Sequence, residues 1–156
     1  MSNTKFRLLE DDTIELWGRT LHRIEALKDF SNIQKGEKGG YVEKEGNLGV
    51  SGNAWVYGDA WVYGNAEVYG NARVYGNAEV SGDDDLLVIY PIGSEDGILT
   101  AFKNKEGSIS VTRGCFKGTL KEFESAVEET HGDNEYAKTY HIAVELIKNK
   151  LGDQDE

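Results

Sequence analysis

The sequence predicts a mainly β fold with an α+β part. It divides into an N-terminal β cap over residues 1–47, a short coil of repeated strands over 48–82, and a small domain of three strands and two helices over 86–152. Three observations carry this reading. A six-residue pattern runs through five units from Gly52 to Ser81, as GNAWVY, GDAWVY, GNAEVY, GNARVY and GNAEVS. The segment before it breaks into short apolar and polar alternations separated by turn formers. Beyond Gly82 the period becomes that of longer strands and then of helices.

Within the repeat, valine recurs at 50, 56, 62, 68, 74 and 80, and alanine at 54, 60, 66, 72 and 78. Six residues are too few for a helix and its return, but they suit a strand followed by a corner. In Trp55-Val56-Tyr57 the strand alternation sends valine to one side and both aromatics to the other. Gly58-Asp59 supplies the corner, because glycine and Asn or Asp tolerate left-handed backbone. Ala60 is small enough to turn inward beside it.

A branched aliphatic and a small residue at fixed spacing, separated by Gly-Asn, resemble the left-handed parallel β-helix of the hexapeptide-repeat proteins. There, three hexapeptides make one triangular coil of 18 residues. The resemblance implies that residues 18 apart stack: Val50 over Val68, Val56 over Val74 and Val62 over Val80. Outside the coil, Trp55 would meet Arg73 in a cation–π contact of roughly 0.5–1 kcal/mol, Trp61 would meet Glu79, and Tyr57 would meet Tyr75. Two coils are too few to stand alone, so both ends need caps.

Trp55, Tyr57, Trp61, Tyr63, Tyr69 and Tyr75 point away from the valine column. Soluble monomers rarely expose so large an aromatic patch. Packing between copies of the chain, cover by the flanking segments, or a ligand or partner surface would each account for it. Hexapeptide-repeat proteins commonly pack flat faces into trimers, so the resemblance points to a homo-oligomer, trimer or dimer. Trp55, Tyr57, Trp61, Tyr63, Arg73 and Tyr75 are therefore candidate binding residues.

In the cap, Lys5–Leu9 and Thr13–Leu16 read as strands around a turn at Glu10-Asp11-Asp12. Leu21, Ile24 and Leu27 have helical spacing, whereas Leu21-His22-Arg23-Ile24 following a strand suits a continued sheet. The run Leu21-His22-Arg23-Ile24-Glu25-Ala26-Leu27-Lys28-Asp29-Phe30, with Gly39-Gly40-Tyr41-Val42-Glu43-Lys44-Glu45 and Asn47-Leu48, resembles the N-terminal cap of phage and prophage hexapeptide proteins. It is also similar to enterobacterial β-helix proteins described as transferases. That resemblance covers residues 5–82 and favours a strand at Leu21–Leu27.

After the linker Asp83-Asp84-Asp85, Leu86–Tyr90 reads as a buried strand. Ile98–Lys103 and Ser108–Arg113 form a hairpin around Asn104-Lys105-Glu106-Gly107. Thr119-Leu120-Lys121-Glu122 has the form of a capping box opening a helix with Leu120, Phe123 and Val127 on one face. Gly132 ends it, and a second helix from about Glu135 places Tyr136, Tyr140, Val144, Ile147 and Leu151 at helical spacing. Gly114-Cys115-Phe116-Lys117-Gly118-Thr119-Leu120, with Glu122-Phe123 and His131-Gly132-Asp133, resembles an uncharacterised domain of phage and prophage proteins. This implies a lineage and no reaction.

Charge narrows the partners. Residues 1–82 hold 12 acidic and 9 basic side chains, a net of −3, and residues 83–156 hold 16 and 8, a net of −8. Such a surface repels phosphate backbones and anionic membranes, so neither direct nucleic-acid binding nor membrane association is expected. It suits a basic protein partner, or simply solubility. A single cysteine, Cys115, excludes an intramolecular disulfide and a thiolate zinc cluster. No apolar run reaches the roughly 20 residues of a membrane span, and Met1–Lys5 lacks a signal-peptide core. A cytoplasmic location follows as an expectation, the host cytoplasm if the chain is phage-encoded.

Catalytic chemistry finds little support. Hexapeptide acyltransferases use a histidine on or beside the coils, but His22, His131 and His141 all lie outside the repeat. His131 and Asp133 lack a third metal ligand, so no metal site is expected. Cys115 beside Arg113 could have a lowered thiol pKa, but a small buried hydrophobe is the plainer role, and its distance from His131 is open. No phosphate-binding glycine loop or other cofactor motif occurs. The expected function is therefore a non-enzymatic phage or prophage binding protein. It would inhibit a host defence factor through an acidic surface at Glu122, Glu124, Glu128 and Glu129. A nucleotide or other small ligand held between subunits by the aromatic exterior and Arg73, an oligomerising spacer, and a hexapeptide-type acyltransferase are the alternatives.

Overall fold

The computed structural model describes residues 3–114 and 116–152. Cys115 lies outside the described residues, and with it the expected packing of its thiol and its distance from His131. The chain forms two compact units, Met1–Asp83 and Asp84–Glu156.

In the first unit, β1 (Phe6–Leu16) and β2 (Arg19–Ala26) make an antiparallel hairpin. Its turn is Trp17-Gly18, with φ of 49° and 80°, the left-handed pair that matches the twist of two-residue hairpins. The turn expected at Glu10–Asp12 is instead a bulge within one long strand. Between the pairs Leu8↔Ile24 and Thr13↔His22, β1 has four residues where β2 has one. Leu21–Leu27 is strand rather than helix through Ala26, its inward side chains Leu21, Ile24 and Ala26 all buried.

β3 (Lys38–Val42) adds antiparallel to β2. The repeat then contributes strands of only two residues each. β5 (Trp61–Val62) and β7 (Glu79–Val80) extend the cap sheet in parallel, giving the order β1-β2-β3-β5-β7. β4 (Trp55–Val56) and β6 (Arg73–Val74) pair in parallel as a separate two-stranded sheet.

The expectation of a left-handed parallel β-helix is corrected by this topology. The protein is a sheet-rich α+β chain with three separate sheets, of five, two and four strands, and two helices. Five of its eight strand pairs are antiparallel among the described residues. The physical reason lies in lengths. Two strand residues between Gly-Asn corners make little ladder of their own, and the longer cap strands absorb half of them into a mixed sheet.

Local register nonetheless repeats every 18 residues: Trp55 pairs with Arg73 and Trp61 with Glu79. The valines from 56 to 80 and the alanines from 54 to 78 are all buried, each valine contributing on the order of 1.5 kcal/mol or more by leaving water. Val50 departs from this column and is 41% exposed, its expected place opposite Val68 taken by Leu48. Asn47 explains the shift. It is fully buried, its Nδ2 donates to the Ala66 carbonyl at 2.8 Å, and its Oδ1 accepts from the Lys44 amide at 2.9 Å. That clamp brings Leu48 inward and leaves Val50 two residues beyond it.

The second unit is an antiparallel sheet in the order β11-β10-β9-β8, with two helices. Its strands are β8 (Leu86–Ile92), β9 (Gly97–Lys103), β10 (Ile109–Arg113) and β11 (Phe116–Thr119). Four strands replace the three expected, because Phe116–Thr119 pairs antiparallel with β10, Arg113 opposite Phe116. The glycines and lysine of Phe116–Thr119 and its flanks hide that strand from a propensity reading.

α1 (Leu120–His131) opens on the expected capping box, Thr119 Oγ1 accepting from the Glu122 amide at 3.1 Å and Glu122 Oε1 from the Thr119 amide at 2.9 Å. α2 (Glu135–Leu151) is capped by Asn134, whose Oδ1 accepts from the Ala137 amide at 3.0 Å. Leu99, Val111, Phe123, Val127, Tyr140 and Ile147 form the centre of this unit's core. No helix among the described residues is long and apolar enough to cross a membrane.

Candidate functional site

The aromatic ladder lies outside the valine column as its alternation requires, but the cap covers most of it. Trp55 is fully buried, with the Phe30 ring edge-on at 5.4 Å. Trp61 and Tyr63 lie under Trp17, at 6.5 and 6.2 Å between ring centroids, and the Arg19 guanidinium sits 5.4 Å from the Tyr63 ring. Tyr57 and Tyr75 stack at 4.3 Å, and burial pushes the Tyr57 hydroxyl above its ordinary range. Arg73 pairs with Trp55 along the backbone, but its guanidinium is directed to Tyr75 rather than to the indole face. Its Nη2 donates to the Tyr75 hydroxyl at 2.8 Å, with the guanidinium 5.7 Å from that ring. The expected pocket between subunits thus loses most of its lining to the chain's own cap. Tyr69, half exposed, is the ladder ring left most open.

The charged centre of this unit is Arg23, which strand patterning alone gives no reason to single out. Its Nε donates to Asp12 at 2.8 Å, Nη1 to the Gly39 carbonyl at 2.8 Å, and Nη2 to the Tyr41 hydroxyl at 2.6 Å. The Tyr41 hydroxyl in turn donates to Asp12 at 2.9 Å, and these bonds hold the Asp12 carboxyl below its usual range. The β1 bulge brings Asp12 to this network. With all of its partners inside the unit, the network fastens bulge, hairpin and repeat together.

The four predicted acidic residues divide by role. Glu122 closes the capping box and Glu124 pairs with Lys148 at 3.4 Å, so both serve the fold. Glu128 and Glu129 are exposed and join no ion pair among the described residues. The structure adds to this surface two neighbours that the sequence reading placed elsewhere, Asp133 beside His131 and Glu135 at the start of the second helix, both exposed and without an ion pair among the described residues.

A cleft of about 300 Å³ opens in the second unit between the β8–β9 turn, the end of β10 and the helix pair. Arg113, Glu95, Phe116, Phe123, His131 and Tyr140 supply its chemistry. Phe123 stands edge-on to both Phe116 and Tyr140 at 5.4 Å, and His131 stacks on Tyr140 at 5.9 Å. Arg113 is half-buried, yet its one side-chain hydrogen bond among the described residues goes from Nη2 to the Ile92 carbonyl at 3.3 Å. Its Nε is buried without a partner, an arrangement that costs on the order of 1–3 kcal/mol. A Cβ on Gly97 would come within 2.5 Å of the Arg113 guanidinium carbon, and one on Gly93 would overlap the Tyr140 hydroxyl. The β8–β9 turn is therefore cut to admit these two side chains.

Sequence reasoning named Arg113 beside Cys115, Phe116, Phe123, His131 and Tyr140 in this region without assembling the site. Gly93 and Gly97 flanking a turn, with a lone arginine at the end of the second strand beyond it, were the signal available. Elsewhere, the His22 ring bonds the Leu9 carbonyl at 3.0 Å and His141 is exposed. No group of three or more metal-ligating side chains occurs among the described residues. Comparison with protein-family models and with curated proteins finds no match to this chain.

Proposed function

We propose that the chain is a non-enzymatic binding protein, of the phage or prophage kind that its sequence resembles. It acts in the host cytoplasm by capturing a basic host protein such as a defence factor. One observation carries the reading: Glu128, Glu129, Asp133 and Glu135 are all exposed within eight residues around the α1–α2 turn, and none is ion-paired among the described residues. Glu128 and Glu129 occupy the last turn of α1, where the helix dipole disfavours negative charge. Helix stability therefore does not account for them. In a segment of net charge −8 they present a negative face that speeds encounter with a basic partner and selects against acidic ones.

The test compares the full chain with a variant carrying Glu128→Gln, Glu129→Gln, Asp133→Asn and Glu135→Gln. Each is used to capture proteins from host lysate at low and high salt, followed by binding to the purified partner. The expected result is one basic protein, recovered reproducibly by the natural chain, lost with the variant, and weakened by salt as exposed charge pairs are screened. Equal capture by the two chains, or none by either, would sink the proposal. Neutralising Glu10 and Asp11 in the first unit should leave capture unchanged.

A further inference from the structure

The cleft of the second unit differs in chemistry from the acidic face, being lined by an arginine and aromatic rings. A half-buried guanidinium ordinarily has a carboxylate partner, because removing the charge from water is costly unless it is paired. Arg113 has none among the described residues, and Glu95, on the same cleft, forms no ion pair with it. Its Nε is orphaned. Guanidinium donors left over in a concave site match the two oxygens of a carboxylate or phosphate group.

The walls say what that group is attached to. His131 and Phe116 are half-exposed rings at the end of a continuous aromatic row through Tyr140 and Phe123. A flat ring can stack on such a row, while Glu95 accepts hydrogen bonds from hydroxyl or amino groups. A volume of about 300 Å³ is at the small end of ligand pockets.

Gly97 argues that the position of Arg113 is itself a built feature. Its backbone has no positive φ that would call for glycine. The nearest atoms to a Cβ there are Cζ, Nη1 and Nε of Arg113, at 2.5 to 2.8 Å. The room beside this turn is therefore shaped to the guanidinium.

We infer that the cleft binds a small organic anion, a flat ring bearing a carboxylate or phosphate group, with the anionic group on Arg113 and the ring against His131 and Phe116. The acidic surroundings oppose anions at long range, so recognition depends on the short-range donors and requires that the anionic group reach Arg113.

The experiment titrates the full chain with 5′-AMP and with benzoate, and with their neutral counterparts adenosine and benzamide, followed by backbone amide NMR. At least one anion should shift amides around the cleft and bind about tenfold or more tightly than its neutral counterpart, the worth of one charge-assisted hydrogen bond. Preference for 5′-AMP would identify a nucleotide-type ligand, and preference for benzoate a carboxylate.

Arg113→Gln should lose the discrimination between anion and neutral. Gly97→Ala, which keeps every charge and displaces only the end of a flexible side chain, should weaken the anion by a similar factor while the rest of the spectrum is retained. The inference is overturned if neither anion shifts the cleft amides, or if both variants bind as the natural chain does.

Discussion

Arg23 lies over the ring of Tyr41, with its guanidinium carbon 4.3 Å from the ring centroid and its Nη2 2.6 Å from the Tyr41 hydroxyl. One cation thus serves both the face and the hydroxyl of the same ring, and also bonds Asp12 and the Gly39 carbonyl. Arg23→Met keeps much of the apolar stem and removes every donor. Because its side chain retains only 19% of its exposure, the loss should be felt, although partial hydration of Asp12 softens it. A destabilisation of about 2 kcal/mol is expected, read as a lower denaturant midpoint with an unchanged slope. A variant as stable as the natural chain would show that water replaces the whole network.

Lys5 makes the stability of the first unit depend on alkaline pH. It is buried, its ammonium donates to the Gly49 carbonyl at 2.8 Å, and it stands 5.0 Å from the Phe30 ring centre. Burial, aided by nearby Lys28, pushes its pKa down from 10.5 to about 8. Below that value the group is protonated in folded and unfolded chains alike, and the penalty of burying the charge is constant. Between about 8 and 10.5 the unfolded chain holds a proton that the folded chain has released. Stability contributed by this group therefore rises with pH across that window and is level above it. Lys5→Met removes the titration. The expected observation is that natural-chain stability, measured relative to Lys5→Met, climbs across the window, and a flat difference would refute the assignment.

The parts legible in the sequence are those that neighbouring residues decide. Thr119 and Glu122 specify the start of α1 between themselves, and the six-residue repeat, through its resemblance to coils of 18 residues, puts Trp55 opposite Arg73. The parts that were not legible depend on residues far along the chain. Phe30 covers Trp55 and Trp17 covers Trp61, so the ladder looks open when only its own repeat is considered. The same holds for the fold class, because β3 draws β5 and β7 into a cap sheet that the repeat alone cannot announce. The cleft is hidden for a third reason. Arg113 acquires meaning only beside Gly97, its neighbour across the β9–β10 ladder by way of Leu99.

Gly40, like its neighbour Gly39, is a place where the cap sheet meets the repeat closely. A Cβ there would come 2.7 Å from both the Ala60 carbonyl and the Val56 Cγ1, with backbone on one side and the fully buried valine column on the other. Neither neighbour is a flexible side-chain end, so the strands must part. Gly40→Ala should cost about 1–3 kcal/mol, visible as a lowered melting temperature. Gly46→Ala is the matched control, since nothing lies within 4 Å of its Cβ position, and it should melt with the natural chain.

Tyr69 decides whether the ladder still serves self-association. It is 50% exposed, whereas Trp55 and Tyr63 are buried and Trp61, Tyr57 and Tyr75 are partly so. An assembly built on aromatic faces would have to use the ring that the cap leaves open, because exposing Trp55, Trp61 and Tyr63 means losing Phe30 and Trp17, and Tyr57 and Tyr75 are already stacked on each other. If the ladder is satisfied internally, Tyr69→Ser leaves the sedimentation mass unchanged, and the natural chain runs at the 17.3 kDa of one copy. If Tyr69→Ser instead converts a trimer or dimer to single chains, the exposed ring is the anchor of an interface and the cap covers the ladder only in part. Mass is the discriminating quantity here, since losing a half-exposed ring changes stability little in either case.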